Sequence, residues 1–228
     1  MTTPVEKSPV ILVSGTFGLG DPEEMENDFY RGNIDKLPWW HSESMFARAA
    51  RAHGLEIAHE SFVWCTSLDG LLGMNDKWYA AGAALRYFAG YRHSGKLVSV
   101  IAHSHGGQVA AYAAGRFGLE IDLLVTLGMS VRRDMQRIRR AAQDGCRRWN
   151  NVWSPNDPIQ LEGARGDGGP ILSWLRALPE SKVRNIEEPT EEPGAHSKLH
   201  DPNLWTIMGW WEWFQPQKFG TLDIQAGG

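Results

Sequence analysis

The sequence has 228 residues, of which 42% are hydrophobic and 22% are charged, and its formal net charge is -4. A chain of this length can bury a sufficient core without metal or disulfide support, so we expect a single domain over residues 1–228. The weakly acidic charge gives no broad attraction to phosphate backbones, and no apolar run approaches the length of a bilayer span. Both features argue against nucleic-acid binding and membrane-spanning functions.

Strands and helices alternate along the first half of the chain. Their apolar residues recur either in short β-branched runs or at helical spacing. The predicted strands cover 9–13, 55–64 and 97–102. The predicted helices cover 42–53, 76–88 and 108–116. The first strand opens into a glycine-rich loop at 14–20, and loops after buried strands commonly carry function.

The second half continues the alternation. An apolar run predicts a strand at 121–127, an Arg-rich helix follows and ends near Gly145, and a further strand covers 149–153. Strands that alternate with helices predict an α/β protein, with a mostly parallel twisted sheet and helices on both faces. The segments 162–170 and 187–194 are expected to be exposed turns.

The turn after the third predicted strand carries a candidate nucleophile. It has the sequence Ala102-His103-Ser104-His105-Gly106. A serine on a sharp strand-to-helix turn projects from the sheet edge and lies at a helix N-terminus, where N–H groups favour a developing negative charge. The small residues Ala102 and Gly106 leave room for a strained serine backbone. The alternative is a glycine-rich turn with an incidental serine.

This turn resembles the nucleophile elbow of the α/β hydrolases, in the lipase and esterase form Gly-His-Ser-x-Gly-Gly. Ala102 stands where that form has Gly. The resemblance covers nearly the whole chain in the order of its elements, and it implies a compact α/β-hydrolase fold with Ser104 as the nucleophile. In that fold the carboxylate and then the histidine follow the serine, which places both partners in the C-terminal half.

Two histidines in that half are candidates for the base. The segment 194–199 resembles the Gly-x-His-Ser-x-Leu loop that carries the base in lipases, and it contains His196. His200 directly precedes Asp201 and Pro202, which have the pattern of a helix N-cap and a first helical residue. We expect His196 to be the base, on a loop that brings its imidazole to the nucleophile, with His200 as the alternative.

The orienting carboxylate is expected after the strand at 149–153. Residues 152–159 resemble the turn that carries this acid in lipases, and the match assigns Asp157. Its role would be to hold the imidazole in the right tautomer and to stabilise its charged form. A turn-forming Asp before Pro is the structural alternative, and Asp122 and Asp201 are the other candidates.

The resemblance also implies two donors for an oxyanion. One is the backbone N–H of His105, the residue after the nucleophile. The second comes from the loop at 14–18, which is similar to the His-Gly-x-x-Gly loop of lipases, with Ser14 in place of the His. Thr16 is the expected donor, and Phe17 is the alternative donor and a candidate substrate contact.

Trp39 and Trp40 form the first of two Trp-rich segments. They follow an acidic segment at 21–35 and form either a lid and acyl-binding wall or part of the core.

The second Trp-rich segment is the C-terminal run 204–214. Helical spacing over this run predicts one packed face made of Leu204, Ile207, Met208, Trp211 and Phe214. Trp205, Trp210 and Trp213 fall off that face, where they would serve a dimer contact or an interfacial membrane contact.

Seven arginines form a basic cluster in an acidic protein. They are Arg132, Arg133, Arg137, Arg139, Arg140, Arg147 and Arg148. The expected role is a solvated helix face, and the alternative is a surface for an acidic partner or an anionic lipid.

These residues together predict an esterase or lipase. His196 would take the proton of Ser104, an acyl-enzyme would form, and water would release the acid. The chemistry needs no cofactor, and the alternating histidines His103 and His105 do not make a metal site. The expected partner is a small-molecule or lipid ester, with peripheral lipid contact through the Trp-rich surfaces.

Two other classes of function stay open. A thioesterase, an amidase or an acyltransferase would use the same triad, whereas a catalytically inactive hydrolase-like protein would use the fold for binding. The N-terminus lacks a signal-peptide pattern, and Cys65 and Cys146 lack the paired spacing of a zinc site, so we expect a cytoplasmic protein.

Overall fold

The computed structural model contains a five-stranded, wholly parallel sheet whose strands are neighbours in the order in which they occur in the chain. The structure describes residues 8–15, 36–60, 62–64, 74–93, 97–157, 160, 178–188 and 195–215. The strands are β1 (Val10–Val13), β2 (Val98–His103), β3 (Ile121–Leu127), β4 (Cys146–Trp153) and β5 (Val183–Glu187). Because the strands are parallel, their carboxyl ends meet at one edge of the sheet, and that edge carries the candidate site.

Helices lie between β1 and β2, between β2 and β3 and between β3 and β4, and further helices follow β5. They are α1 (Met45–Ala52), α2 (Met74–His93), α3 (Gly106–Gly115), α4 (Gln136–Gly145), α5 (Ala195–Lys198), α6 (Pro202–Ile207) and a 3₁₀ helix (Trp210–Phe214). The N-cap of α1 is Ser44, whose Oγ accepts a hydrogen bond from the Ala47 N–H at 3.1 Å. Asp201 caps α6 and Pro202 is its first residue, which confirms that part of the sequence analysis.

Alternate side chains of the strands divide the core between the two faces of the sheet. On β2, Val98, Val100 and Ala102 belong to the first hydrophobic cluster, which also contains buried side chains of α2, α3 and α4. Ile101 belongs to the second cluster, with buried residues of α1, α6 and the 3₁₀ helix. The period-two pattern of strands therefore produces helices on both faces, as predicted.

Two edge segments differ from the predicted strands. The segment at 55–64 makes only isolated parallel bridges to β1, from Ile57 to Val10 and from Phe62 to Val13. Strand β5 was not predicted, because Val183 and Ile186 are its only apolar residues and three of its five side chains are exposed. Strand β5 lies at the edge of the sheet and most of its side chains are exposed, so its sequence carries a weak apolar signal.

The C-terminal run is not one helix, and the predicted packed face is only partly observed, because Leu204, Trp211 and Phe214 pack in or against the second hydrophobic cluster but Ile207 and Met208 are exposed. Gly209 adopts a left-handed backbone with φ 65° between α6 and the 3₁₀ helix, so the helical register changes there. Trp205 and Trp210, expected off the packed face, are buried in the core, whereas Ile207 is 81% exposed. Burial removes these two tryptophans from the surfaces available for a dimer or membrane contact.

The arginine cluster is partly buried, which corrects the expectation of a solvated face. The Arg139 side chain is fully buried and its Nε donates to Glu180 Oε1 at 3.0 Å, while its Nη1 donates to the Arg132 carbonyl. Arg132 itself is buried, pairs with Asp134 and lies over the Trp78 ring. The Arg139 guanidinium therefore connects α4 to Glu180 and to the segment before the helix.

Candidate active site

Ser104 occupies the turn between β2 and α3, and its backbone has φ 54°. It is the one non-glycine residue with positive φ in the described part of the chain. A β-carbon in this left-handed region is crowded by the following carbonyl oxygen, at a cost of about 1–2 kcal/mol. The backbone N–H of Ser104 donates to the Leu127 carbonyl at 2.8 Å, which anchors the turn to the end of β3.

Gly106 is required by the close approach of two backbone segments. A β-carbon at this position would lie 2.5 Å from the Ser14 carbonyl oxygen and 2.7 Å from that of Val13. The first turn of α3 therefore passes directly against the end of β1. A small residue at 106 was expected from the needs of the serine turn, and this backbone contact is its structural reason.

Asp157 and His196 form a buried pair. His196 Nδ1 lies 2.6 Å from Asp157 Oδ2, and the two side chains are 7% and 0% exposed. Asp157 follows β4 in a turn in which its N–H donates to the Ser154 carbonyl and its Oδ1 accepts from the Gln160 N–H at 2.9 Å. One carboxylate oxygen thus holds the turn, and the other is directed at the imidazole.

The tautomer of His196 follows from this contact. A carboxylate oxygen only accepts hydrogen bonds, so the proton lies on Nδ1 of His196. The lone pair of Nε2 is then available to take a proton. This is the state that a general base beside a serine needs.

Ser104 and His196 both lie against the end of β3. Leu127 holds the Ser104 amide, and the next residue, Gly128, lies against the His196 ring. The hydrogen bonds of the described residues include none between Ser104 Oγ and His196 Nε2. Catalytic hydrogen bonds are commonly long in unliganded enzymes and tighten when substrate binds.

Gly128 is fitted to the Asp157–His196 pair. Its φ is +59°, and a β-carbon there would lie 2.9 Å from His196 Nδ1 and 3.0 Å from Asp157 Oδ2. Any side chain would therefore press on the hydrogen bond between the two. Sequence reasoning missed this residue, because its only signal was a glycine directly after a buried strand.

Three aromatic rings form a cluster that contacts the His196 ring through His103. The ring of His103 is centred 4.3 Å from that of His196, and the ring of His200 is 5.0 Å from that of His103. Trp39 stacks on His200 with a centroid separation of 5.2 Å and an angle of 9°. We call His103, His200 and Trp39 the aromatic cluster.

Both histidines of the aromatic cluster are held neutral. Burial lowers the pKa of His103 well below 6.5, and the neighbouring His196 lowers it further. Burial, followed by the effect of His196, lowers the pKa of His200 to about 4. Removal from water disfavours the imidazolium, so neither ring is a source of positive charge at neutral pH.

The alternative site residues make other contacts. Asp122 accepts from Arg148 Nη2 at 3.1 Å, and Asp201 caps α6 by accepting from the Asn203 N–H. His200 stacks on Trp39, whereas His196 contacts a carboxylate. His196 lies on the single helical turn α5, where the sequence analysis expected a loop.

The predicted oxyanion donors are only partly within the described structure. His105 is the N-cap residue of α3, so its backbone lies at a helix N-terminus. Thr16 and Phe17 lie outside the described residues. Gly15, at the start of their loop, approaches Ser104 so closely that a β-carbon there would be 2.8 Å from Ser104 Cβ.

The two tryptophans of the first Trp-rich segment have different surroundings. Trp40 is 1% exposed and packs in the second hydrophobic cluster, so core packing is its observed role and it does not face substrate. Trp39 is half-buried and meets the His103 ring edge-on at 6.0 Å. Only Trp39 lies beside the candidate site.

The described residues include neither a metal-ligand cluster nor a helix that could span a membrane. Among them, no three His, Cys, Asp or Glu side chains are arranged to hold a metal ion. No helix among them combines the length and the apolar character that crossing a bilayer requires.

Comparisons with known proteins identify the fold. No protein-family model and no curated protein sequence matches the chain. A predicted CIB-like hydrolase from Thermoplasma acidophilum superposes with a TM-score of 0.51 at 10% identity, over 92% of this chain and 87% of its own. An α/β serine hydrolase without a lid, from Xanthomonas campestris, superposes with a TM-score of 0.50 at 15% identity, over 93% of this chain and 84% of its own. The chain has the α/β-hydrolase fold. The mature form of a lipase from Bacillus licheniformis superposes with a TM-score of 0.50 at 15% identity, over 90% of this chain and 92% of its own.

Proposed function

We propose that this protein is a serine hydrolase that cleaves carboxylic esters through an acyl-enzyme on Ser104. The observation that carries the proposal is the left-handed backbone of Ser104 at a strand-to-helix turn. A residue held in such a conformation costs about 1–3 kcal/mol and persists only where surrounding contacts impose it, and residues of this kind cluster at active sites. Two of the proteins with the same fold are described as a serine hydrolase and a lipase, which agrees with this chemistry.

The base and the acid support the same assignment. The contact of 2.6 Å between His196 Nδ1 and Asp157 Oδ2 leaves Nε2 of His196 as the proton acceptor. Asp157 is buried and its Oδ1 is already engaged by the Gln160 N–H, so its orientation is fixed. A fixed carboxylate stabilises the imidazolium that forms when the serine proton is transferred.

The proposed reaction has two halves. Ser104 Oγ attacks the ester carbonyl carbon while His196 Nε2 takes the hydroxyl proton, and the tetrahedral intermediate then expels the alcohol, which receives that proton from His196. In the second half, His196 takes a proton from water, and the hydroxide oxygen attacks the acyl carbon. The acid leaves, and the proton returns to Ser104 Oγ.

The oxyanion of each tetrahedral intermediate needs donors that are already in place. We assign one to the backbone N–H of His105, which lies at the N-terminus of α3. The second is assigned to Thr16, with Phe17 as the alternative, because Gly15 brings the start of their loop against Ser104. The helix dipole of α3 adds favourable potential at the same point.

Trp39 is proposed as part of the wall that contacts the acyl group. One face of its ring is covered by His200, and its edge meets His103, the residue before the nucleophile. An indole that is half-buried beside a reactive serine offers apolar contact to a bound chain. Lipid contact through Trp205 and Trp210 is not part of the proposal, because both are buried.

Hydrolysis of p-nitrophenyl esters of graded acyl length tests the proposal. We expect turnover by the wild type, loss of turnover in Ser104→Ala, and unchanged turnover in Ser181→Ala, a matched change at an exposed serine. A preference for longer acyl chains that is lost in Trp39→Ala would support the Trp39 wall. A folded wild-type protein with no activity on any chain length would contradict ester hydrolysis.

A further inference from the structure

His103 makes a contact with the candidate base that the triad does not explain. It is the last residue of β2, and its side chain lies on the same face of the sheet as that of Ile101, because strand side chains alternate. Its Nε2 lies 2.8 Å from the backbone carbonyl oxygen of His196. A carbonyl oxygen only accepts hydrogen bonds, so His103 donates from Nε2.

Helix α5, which carries His196, needs a tertiary contact such as this hydrogen bond. Helix α5 has four residues, and a single isolated turn of helix is not stable in water without tertiary contacts. Asp157 holds the imidazole of His196, and His103 holds the backbone of the same residue. Two contacts at different points of one residue restrict both the position of its backbone and the rotation of its ring.

The surroundings of His103 keep its ring neutral. It is buried, and the rings of His196 and His200 lie within 4.3 Å and 5.0 Å of its own, centre to centre. The third neighbouring histidine that affects it electrostatically is His105. A second positive charge among these rings is unfavourable, so the His103 ring stays neutral when His196 becomes charged.

We propose that His103 is a positioning residue for His196, which it holds by the hydrogen bond from its Nε2 to the His196 carbonyl oxygen. His103 acts through His196 and touches neither the substrate nor the transferred proton. Its catalytic consequence rests on the proposed function, because that function makes His196 the base. The hydrogen bond and its effect on the His196 ring do not depend on which substrate is cleaved.

Two substitutions test the Nε2–H donor of His103 and its aromatic ring separately. His103→Phe keeps an aromatic ring but removes the Nε2–H. His103→Gln loses the ring, but its amide nitrogen reaches the position of Nε2 and donates. His59→Phe, at an exposed histidine, is the matched control for the change of residue type. Near-UV circular dichroism and thermal unfolding establish that each variant is folded.

The kinetic readout is the separation of kcat from KM. A misplacement of the base by about 1 Å can cost about 100-fold in rate, so we expect His103→Phe to lower kcat by up to about that factor with KM nearly unchanged. His103→Gln should recover most of the loss. A folded His103→Phe variant with wild-type kcat, or a His103→Gln variant as impaired as His103→Phe, would overturn the proposal.

The second readout does not use activity. Two-bond ¹H–¹⁵N spectra of the histidine rings report which nitrogen carries the proton, and we expect His196 to be protonated at Nδ1 in the wild type and in His103→Gln. In His103→Phe the His196 ring would no longer be held firmly against Asp157, so the two tautomers of His196 should be mixed. If the tautomer responds in this way while the wild type cleaves no ester, the positioning role stands and the proposed function fails. An unchanged Nδ1–H tautomer in His103→Phe would contradict the positioning role itself.

Discussion

His196 donates from Nδ1 to Oδ2 of Asp157 across 2.6 Å, at a point where Asp157 is fully buried. The contact joins the turn after β4 to a helical turn 39 residues later in the chain. It selects one tautomer of the imidazole and directs the other nitrogen away from the carboxylate. The catalytic predictions follow from the need to preserve this geometry.

Asp157→Asn should lower kcat by a factor on the order of 10⁴, because an amide that presents its NH₂ to Nδ1 favours the wrong imidazole tautomer. The kinetics of p-nitrophenyl ester hydrolysis measure the change. Asp122→Asn and Asp201→Asn are the matched controls, since Asp122 pairs with Arg148 and Asp201 caps α6. Equal losses in all three variants would show that the acid has been misassigned.

Gly128→Ala should impair activity as well as stability. The left-handed backbone, with φ +59°, makes alanine unfavourable by about 1–2 kcal/mol. The added methyl would also press on the Asp157–His196 pair, so kcat should fall by up to about 100-fold. Gly118 provides the control, because its φ is +66° and a β-carbon there meets nothing within 4 Å. Gly118→Ala should lose similar stability and keep its kcat; parallel losses of kcat in the two variants would refute a specific role for Gly128.

The stability of the protein should fall as the pH is lowered from 6.5 to 4. The pKa of His200 is lowered by burial to about 4 in the folded state, so over this range the unfolded chain binds a proton that the folded chain does not. Its contribution is present above pH 6.5 and is about 3 kcal/mol smaller at pH 4. Urea unfolding at a series of pH values should show a shallower decline in His200→Phe. His103 contributes a decline of the same sign, so some slope should remain in that variant. The same slope in His200→Phe as in the wild type would contradict the assignment of this effect to His200.

Arg139→Ala should destabilise the protein by about 3–5 kcal/mol, because it leaves the buried Glu180 carboxylate without its partner. The free energy of unfolding in urea measures the loss. The exposed ion pair between Lys182 and Asp144 is the comparison, and Lys182→Ala should cost about 0–1 kcal/mol. The double variant Arg139→Met/Glu180→Leu should recover much of the loss, since neither of these two positions then carries a buried charge. Comparable losses at Arg139 and Lys182 would contradict the role of burial.

The sequence predicted best those elements whose signal is local. Strand β3 was predicted with its observed bounds, Ile121–Leu127, because its central position makes almost the whole run apolar. The order of Ser104, Asp157 and His196 was available from the resemblance of three short motifs. Their approach across the sheet edge depends on strand order and register, which no single segment contains.

The features that were mispredicted or missed depend on a change of chain direction or on contacts between distant residues. Helical spacing alone placed Ile207 in the core and Trp205 outside it, because the left-handed turn at Gly209 changes the direction of the chain and was not recognised. The hydrogen bond from His103 to the His196 carbonyl joins residues 93 positions apart, so no local pattern indicates it. The contact of Gly128 with Asp157 and His196 has the same long-range origin.

Labelling with a fluorophosphonate probe, followed by peptide mapping, tests the central claim most directly. The probe reacts with serines that a neighbouring base has activated, so it does not require the natural substrate. We predict one adduct, on Ser104, absent in Ser104→Ala, retained in Ser181→Ala and formed more slowly in Asp157→Asn. A folded wild-type protein that leaves Ser104 unlabelled, or a Ser104→Ala variant labelled as fast as the wild type, would contradict the assignment of Ser104 as the nucleophile.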